Sequence, residues 1–319
     1  METRHESVLF DEAIRNLAVK KSDTVVDGTL GGAGHFRALL NSLDRSGTII
    51  GIDADQDAID RAQAVVNESK NEARTVFAHD NFRNLGSILD DAGIECIDKA
   101  LFDLGWSSFH LSSGRGFSFR TSEPLLMTYG APEEGETAAS LINGAPEETL
   151  VDIFFTYGEE RFARAIARAI VAARKRRPIL TTDQLATIVA ESTPAWYQHR
   201  RIHPATKVFQ ALRIAVNDEL GALREGLETS MARLEKGGRI AVITFHSIED
   251  RIVKTMFRDA AHEGMGMLIT KKPIVPSTAE MLRNPRARSA KLRVFEACRL
   301  PHGSNQNVSP ITHSTFSYL

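Results

Sequence analysis

Four short apolar segments, separated by helical patterns, most constrain what this chain can fold into. Thr24-Val-Val-Asp27, Gly47-Thr-Ile-Ile-Gly-Ile-Asp53, Arg74-Thr-Val-Phe-Ala78 and Ile97-Asp-Lys-Ala-Leu-Phe-Asp103 read as strands, and residues 35–42, 56–69 and 85–92 between them carry helical spacing. Strands that alternate with helices in this way build a parallel sheet with helices on its faces. Three of the four strands end in an aspartate, and Asp80 follows the third by two residues. Carboxyl ends of strands in an open α/β sheet face the ligand crevice, so the pattern predicts a row of acids along one rim.

The rhythm breaks after Asp103. Turn-rich stretches at 112–118 and 130–135 lead into a helical region from about Pro146 to Ser192, where Pro178 and the cap-like Thr181-Thr-Asp183 separate two helices. Pro194 and Pro204 bracket a loop before one long helix predicted from Thr206 to about Glu235, with Gly237-Gly238 as its stop. Residues 239–245 read as a fifth strand, Ser247 as the cap of a further helix with Asp250 at its third position, and residues 291–296 as a late strand. The economical organisation is one α/β domain, residues 1–112 and 205–319, interrupted by a mainly helical insertion at 113–204.

A chain of 319 residues, 42% hydrophobic and 25% charged, is neither disordered nor fibrous and can bury a core without disulfide or metal staples. Cys96 and Cys298 stand alone, as idle or buried thiols do in a reducing compartment. No apolar run approaches the ~18 residues that span a bilayer, and Met1-Glu-Thr-Arg-His5 is polar where a secretory signal would be basic and then apolar. A cytoplasmic protein with no membrane partner is expected. The net charge of −2 averages over an uneven chain. Between residues 161 and 213 eleven lysines and arginines face only Asp183 and Glu191, and between 271 and 299 eight face only Glu280 and Glu296. Arg174-Lys-Arg-Arg177 and residues 283–293 therefore predict a face for phosphates, while the acidic remainder suits a cationic or neutral ligand.

The loop Asp27-Gly-Thr-Leu-Gly-Gly-Ala-Gly-His35 joins the first strand to the first helix. Its glycines let a ligand approach the backbone, and the helix N-terminus offers free N–H donors. Asp53, at the tip of the second strand, can accept both hydroxyls of a ribose. In this context the two features predict a nucleoside-containing cofactor. The spacing is not G-x-G-x-x-G, and Asp27 before the glycines would repel a pyrophosphate. S-adenosylmethionine, with an ammonium, a sulfonium and no phosphate, is the better match. At the fourth strand's tip Asp103 is the candidate catalytic residue, because a carboxylate accepting an N–H of an exocyclic base amine localises the nitrogen lone pair and orients it. Trp106 and Phe109 offer faces for an unpaired base or pack internally, and His110 is either a contact or a surface residue. His246 reaches the crevice or caps the next helix. No spacing suggests zinc, and no G-x-S-x-G elbow occurs.

Eight segments carry a family resemblance. Val26-Asp-Gly-Thr-Leu-Gly-Gly-Ala-Gly-His35, Gly51-Ile-Asp-Ala-Asp55, Asp103-Leu-Gly-Trp-Ser-Ser108, Arg115-Gly-Phe-Ser-Phe119, Tyr157-Gly-Glu-Glu-Arg-Phe162, His203-Pro-Ala-Thr-Lys-Val-Phe-Gln-Ala-Leu-Arg213, Phe245-His-Ser-Ile-Glu-Asp-Arg-Ile-Val-Lys254 and Asn284-Pro-Arg-Ala-Arg-Ser289 closely resemble the bacterial ribosomal RNA small-subunit methyltransferase H family, in the family's order and over nearly the whole chain. The resemblance implies a Rossmann-like S-adenosylmethionine-dependent methyltransferase sheet with a helical insertion for substrate recognition. It also implies methylation of N4 of one cytosine in the decoding region of 16S rRNA, with the small ribosomal subunit as context and a homodimer left open. Carried over by position, the family's cofactor contacts fall on Ala33, Gly34, His35, Asp53, Phe82, Asp103 and His110, with no metal. Ala33 stands where members carry glycine, Phe109 where they carry proline and His110 where they carry glutamine. Glu123-Pro-Leu-Leu-Met-Thr-Tyr129 lacks the Asp and Arg that follow Pro-Leu in members, and Leu126 does not replace a carboxylate. That departure favours one alternative, an RNA-binding or ribosome-assembly factor that keeps the fold without turnover. A DNA amino-methyltransferase is a second alternative, but it would carry Asp/Asn-Pro-Pro-aromatic where this chain has Asp103-Leu-Gly-Trp106.

Overall fold

The computed structural model describes residues 7–105, 113–129 and 135–299. Helix α1 (Phe10–Leu17) precedes β1 (Thr24–Asp27), α2 (Gly34–Ser42), β2 (Thr48–Asp53), α3 (Gln56–Glu68), β3 (Arg74–His79), α4 (Leu85–Asp91) and β4 (Ile97–Asp103). From β1 to β4 every element lies within one residue of the bounds read from the sequence. Helices α5 (Ala138–Gly144), α6 (Glu147–Thr156), α7 (Ala163–Arg174), α8 (Thr182–Glu191), the single turn α9 (Ala195–Gln198) and α10 (Ala205–Asn217) follow. The chain then returns to the sheet through α11 (Glu219–Arg233), β5 (Leu234–Thr244), α12 (Ser247–His262), β6 (Gly266–Leu268), α13 (Thr278–Arg283) and β7 (Lys291–Ala297).

The seven strands lie in the order β3-β2-β1-β4-β5-β7-β6, parallel from β3 to β5, with β7 antiparallel to both β5 and β6. This is a Rossmann-like strand order, and the chain between β4 and β5 is mainly helical among the described residues. Side chains alternate across it. Val25, Ile49 and Leu101 pack under α1, α2 and α3, while Val26, Ile50 and Phe102 pack under α4, α11 and α12. Strand order reverses between β1 and β4, which opens a crevice at their carboxyl ends, where Asp27, Asp53 and Asp103 terminate their strands.

A separate core holds the helical unit, built on Phe117, Leu125, Ile142, Phe154, Ile166, Leu185, Val208 and Leu212. Helix α10 packs within this core and α11 against the sheet, and that division breaks the single helix expected from Thr206 to Glu235. Asp218 makes the break in the left-handed region at φ 44°, a conformation that aspartate adopts more readily than most residues. Gly237-Gly238 does not stop a helix either. Leu234 already pairs with Ile97, and the register slips before Arg239 pairs with Lys99, so the glycines form an irregularity inside β5 with Gly237 at φ 79°. The cap of α12 is His246 rather than Ser247: its ring accepts the Glu249 N–H, and the Glu249 carboxylate returns to the His246 N–H. Where two helices were expected between 146 and 192, three form. Among the described residues, no helix is long and apolar enough to cross a membrane.

Candidate active site

The rim of the crevice opens into a cleft of about 710 Å³. Its floor is the loop after β1. Gly28 is packed so closely on the Phe102 ring that a Cβ would lie 2.4 Å from it, and Gly31 takes φ 48°. The carboxylate of Asp53 holds this loop in place: Oδ2 accepts the Gly31 N–H at 2.9 Å and Oδ1 the Asp55 N–H at 2.9 Å. Each oxygen keeps a further lone pair for a ligand hydroxyl. Burial raises the Asp53 pKa, and the two N–H donors oppose that rise.

Asp103 is fixed at the tip of β4. Its backbone N–H donates to Thr29 Oγ1 at 2.7 Å, its Oδ1 accepts the Gly105 N–H at 3.2 Å, and its Oδ2 lies 3.5 Å from His35 Nδ1. His35, in the first turn of α2, stacks on Phe10 with ring centroids 5.7 Å apart, and its buried Nε2 has no hydrogen-bond partner among the described residues. Asp27 is fully buried and does not line the cleft. Its Oδ1 accepts the Thr29 N–H at 3.3 Å, while Oδ2 is buried without a hydrogen-bond partner among the described residues. Burial pushes its pKa from 3.8 to about 7, against the opposing pull of His35. The acids that face a ligand are instead Asp53, Asp80 and Asp103 on this wall and Glu219 and Glu249 opposite. This set suits S-adenosylmethionine, since it favours a cation and repels a pyrophosphate.

Gly34, His35, Asp53, Phe82 and Asp103 all line the cleft. Phe82 is braced edge-on against Phe102 at 5.4 Å. Ala33 does not line it: its side chain is in the core, and it holds φ 59°, where a Cβ costs about 1–2 kcal/mol and glycine does not. Trp106, Phe109 and His110 lie outside the described residues. Leu126 is half-buried and away from the cleft. His246 is also off the cleft, and its neighbours Phe245 and Glu249 line it.

The opposite wall was not read from the sequence. The Glu219 carboxylate is clamped by Arg213, with Nη2 at 2.8 Å from Oε2 and Nε at 2.7 Å from Oε1, and accepts the Tyr129 hydroxyl at 2.9 Å. Asn217 accepts the Tyr129 N–H through Oδ1 at 2.9 Å and donates to the Met127 carbonyl. Burial pushes the Tyr129 hydroxyl well above its ordinary pKa, and the carboxylates of Glu219 and Glu249 help keep buried Arg213 charged. Arg213 ends one of the family-like segments, and Tyr129 ends the stretch Glu123–Tyr129 that departs from the family. Glu219 was hidden because its segment reads as mid-helix.

The two basic segments are only partly exposed. Lys291 and Arg293 are bound to Asp250, at 2.9 and 2.7 Å, and Arg213 is buried behind the cleft. Arg283, Arg286 and Arg288 remain exposed, the first two at the cleft rim, as do Arg164, Arg168, Lys175, Arg176 and Arg177 on the helical unit.

Comparison with known proteins places the chain in a family. The family model described as the MraW methylase family matches residues 2–298. Proteins named ribosomal RNA small subunit methyltransferase H are similar at 44% identity in Magnetococcus marinus, over 93% of this chain and 99% of that protein. In Deinococcus radiodurans the identity is 46%, over 94% and 92%, and in Deinococcus deserti 48%, over 92% and 93%. With one family model spanning almost the whole described chain and such relatives covered nearly end to end, this chain belongs to the MraW methylase family.

Proposed function

We propose that this protein is an S-adenosylmethionine-dependent methyltransferase of small-subunit ribosomal RNA, acting on N4 of one cytosine in the decoding region of 16S rRNA. The observation that carries the reading is the Asp103 carboxylate, held at the sheet's switch point and facing the same cleft as the glycine loop and Asp53. The sheet with α1 to α4 and the chain from α11 onward act as the methyltransferase domain, and the helical unit acts as the RNA-recognition insertion, which α10 extends beyond the boundary expected at residue 204; the small ribosomal subunit is the substrate.

When bound, S-adenosylmethionine supplies an electrophilic methyl carbon on a sulfonium. Gly34 and His35 would border its site, Asp53 would receive the ribose hydroxyls, and Phe82 would offer an apolar ring beside them; His110 is a further contact that the resemblance implies. Asp103 Oδ2 accepts an N–H of the cytosine amine, which localises the nitrogen lone pair, and takes up the proton the amine sheds on gaining a methyl group. The pyrimidine leaves its stack to reach this carboxylate. Mass spectrometry of nucleosides from 16S rRNA of cells with and without this protein tests the reading. N4-methylcytidine present in both excludes it.

Replacing Asp53 by Ala is expected to weaken cofactor binding tenfold or more, since one hydrogen bond to a charged group contributes about 1.5–3 kcal/mol. Calorimetry reads the change, and unaltered affinity removes the ribose role. RNA affinity should also fall with salt. If about five of the exposed arginines and lysines neutralise phosphates, the slope of log K against log salt is about −3 to −4. A flat response contradicts a phosphate-binding face.

A further inference from the structure

One side chain on the helical unit lies in water without an internal reason. Trp196, in the single turn α9, is 55% exposed, although burying so large an aromatic would contribute roughly 1.5–3 kcal/mol. Its two ring neighbours meet it edge-on, Phe162 at 5.9 Å and 63° and Tyr197 at 5.6 Å and 86°, so neither stacks on it. The Arg161 guanidinium lies 5.4 Å from its ring centroid and 5.3 Å from that of Phe162, and Arg200 lies 5.2 Å from that of Tyr197.

The pedestal beneath is built firmly. Tyr197 is buried and donates its hydroxyl to Glu160 Oε2 at 2.6 Å. Gln198 Nε2 donates to the Ala190 and Thr193 carbonyls, both at 2.8 Å, which ties the turn to the end of α8. An aromatic fixed in place loses little freedom on binding. The surrounding sequence is cationic. From Ser192 to Asn217 there is no acid, and Arg200 and Arg201 are exposed beside the turn. Glu160 is buried on Tyr197, and Glu159 is engaged by Ser247 and Arg251 in the first two turns of α12. That contact ties the pedestal to the helix whose Glu249 lines the cleft.

We propose that Trp196, flanked by Arg161 and Arg200, is a stacking platform for an unpaired base of the RNA strand that feeds the cleft, with the two guanidiniums on the adjoining phosphates. An exposed indole with one guanidinium over it and a second over the adjoining Tyr197 ring matches single-stranded nucleic acid in both of its chemistries, a flat base and an anionic backbone. An apolar protein partner would match only the ring. The proposal rests on the RNA-methylating reading for its substrate, but its own test is direct binding.

The experiment uses the full chain and a short unpaired oligocytidylate, followed by fluorescence anisotropy. Trp196→Ala is expected to weaken binding about 5- to 100-fold, Trp196→Phe to restore most of it, and Trp196→Leu to behave like Ala. Arg161→Gln with Arg200→Gln should also weaken binding and flatten its salt dependence. Calorimetry with S-adenosylmethionine should give wild-type affinity for every variant, which shows that each is folded. Leu as good as Phe would overturn the proposal, because apolar contact rather than stacking would then suffice. Wild-type oligonucleotide affinity in Trp196→Ala would overturn it too, and if methylation of small subunits nevertheless fell, a protein contact would be the occupant. Should wild-type protein leave small subunits unmethylated while Trp196→Ala still lowers oligonucleotide affinity, the enzymatic reading fails and the platform stands.

Discussion

Asp103→Asn is expected to bind RNA and S-adenosylmethionine almost as wild type does while losing about 10²- to 10⁴-fold in the methyl-transfer rate, the range for removal of a positioned general base. The amide keeps the shape of the carboxylate, and its oxygen can still accept the Gly105 N–H, so the tip of β4 stays in place. What is lost is the anion: an amide cannot take a proton from the amine or pair with His35, 3.5 Å away. Single-turnover transfer onto small subunits, run beside filter binding, separates the two effects. Equal rates in the two proteins would refute the role given to Asp103. A parallel loss of RNA affinity would instead mean that the substitution disturbs the cleft.

Asp27→Asn should stabilise the protein at alkaline pH and leave it unchanged in acid. The folded-state pKa of Asp27 is raised to about 7 from 3.8. Between these values the folded protein keeps a proton that the unfolded chain has released, so stability declines as pH rises through about 4 to 7. Above that window the buried anion costs up to about 4 kcal/mol, at 1.36 kcal/mol per pH unit. The asparagine variant does not titrate, so its Tm should exceed that of wild type at about pH 8 and converge with it near about pH 4. A Tm difference independent of pH would mean that Asp27 does not change ionisation on folding. A cost of this size at the base of the glycine loop is the kind of local instability that sites retain for function.

Much of the fold was legible because its signals are local. The four parallel strands and their helices follow from alternation, β-branched residues and turn residues, whereas the strand order, with its reversal between β1 and β4, came from the tertiary structure. The same signals located the glycine loop, Asp53 and Asp103, because strand ends and strand-to-helix turns mark the rim directly. The break at Asp218 had no local mark: the apolar spacing of Val208, Leu212, Ala215 and Leu220 runs on through it, and the chain turns because two different cores claim the two halves. The capping histidine was similarly displaced by one residue, since serine is the commoner cap and only the Glu249 geometry shows which side chain is used.

The sequence by itself determined the class of sheet, the position of the glycine turn, the acids at the strand tips and an excess of positive charge in two segments, because each depends on residues adjacent along the chain. Only the tertiary structure decided which of those charges are bound within the fold. Arg213, Lys291 and Arg293 are held by Glu219 and Asp250, Asp27 lies beneath the cleft instead of on it, and the wall of Tyr129, Asn217 and Glu219 assembles from segments 90 residues apart. Pairing and desolvation are set by what packs against a side chain, and residues distant in sequence supply that packing.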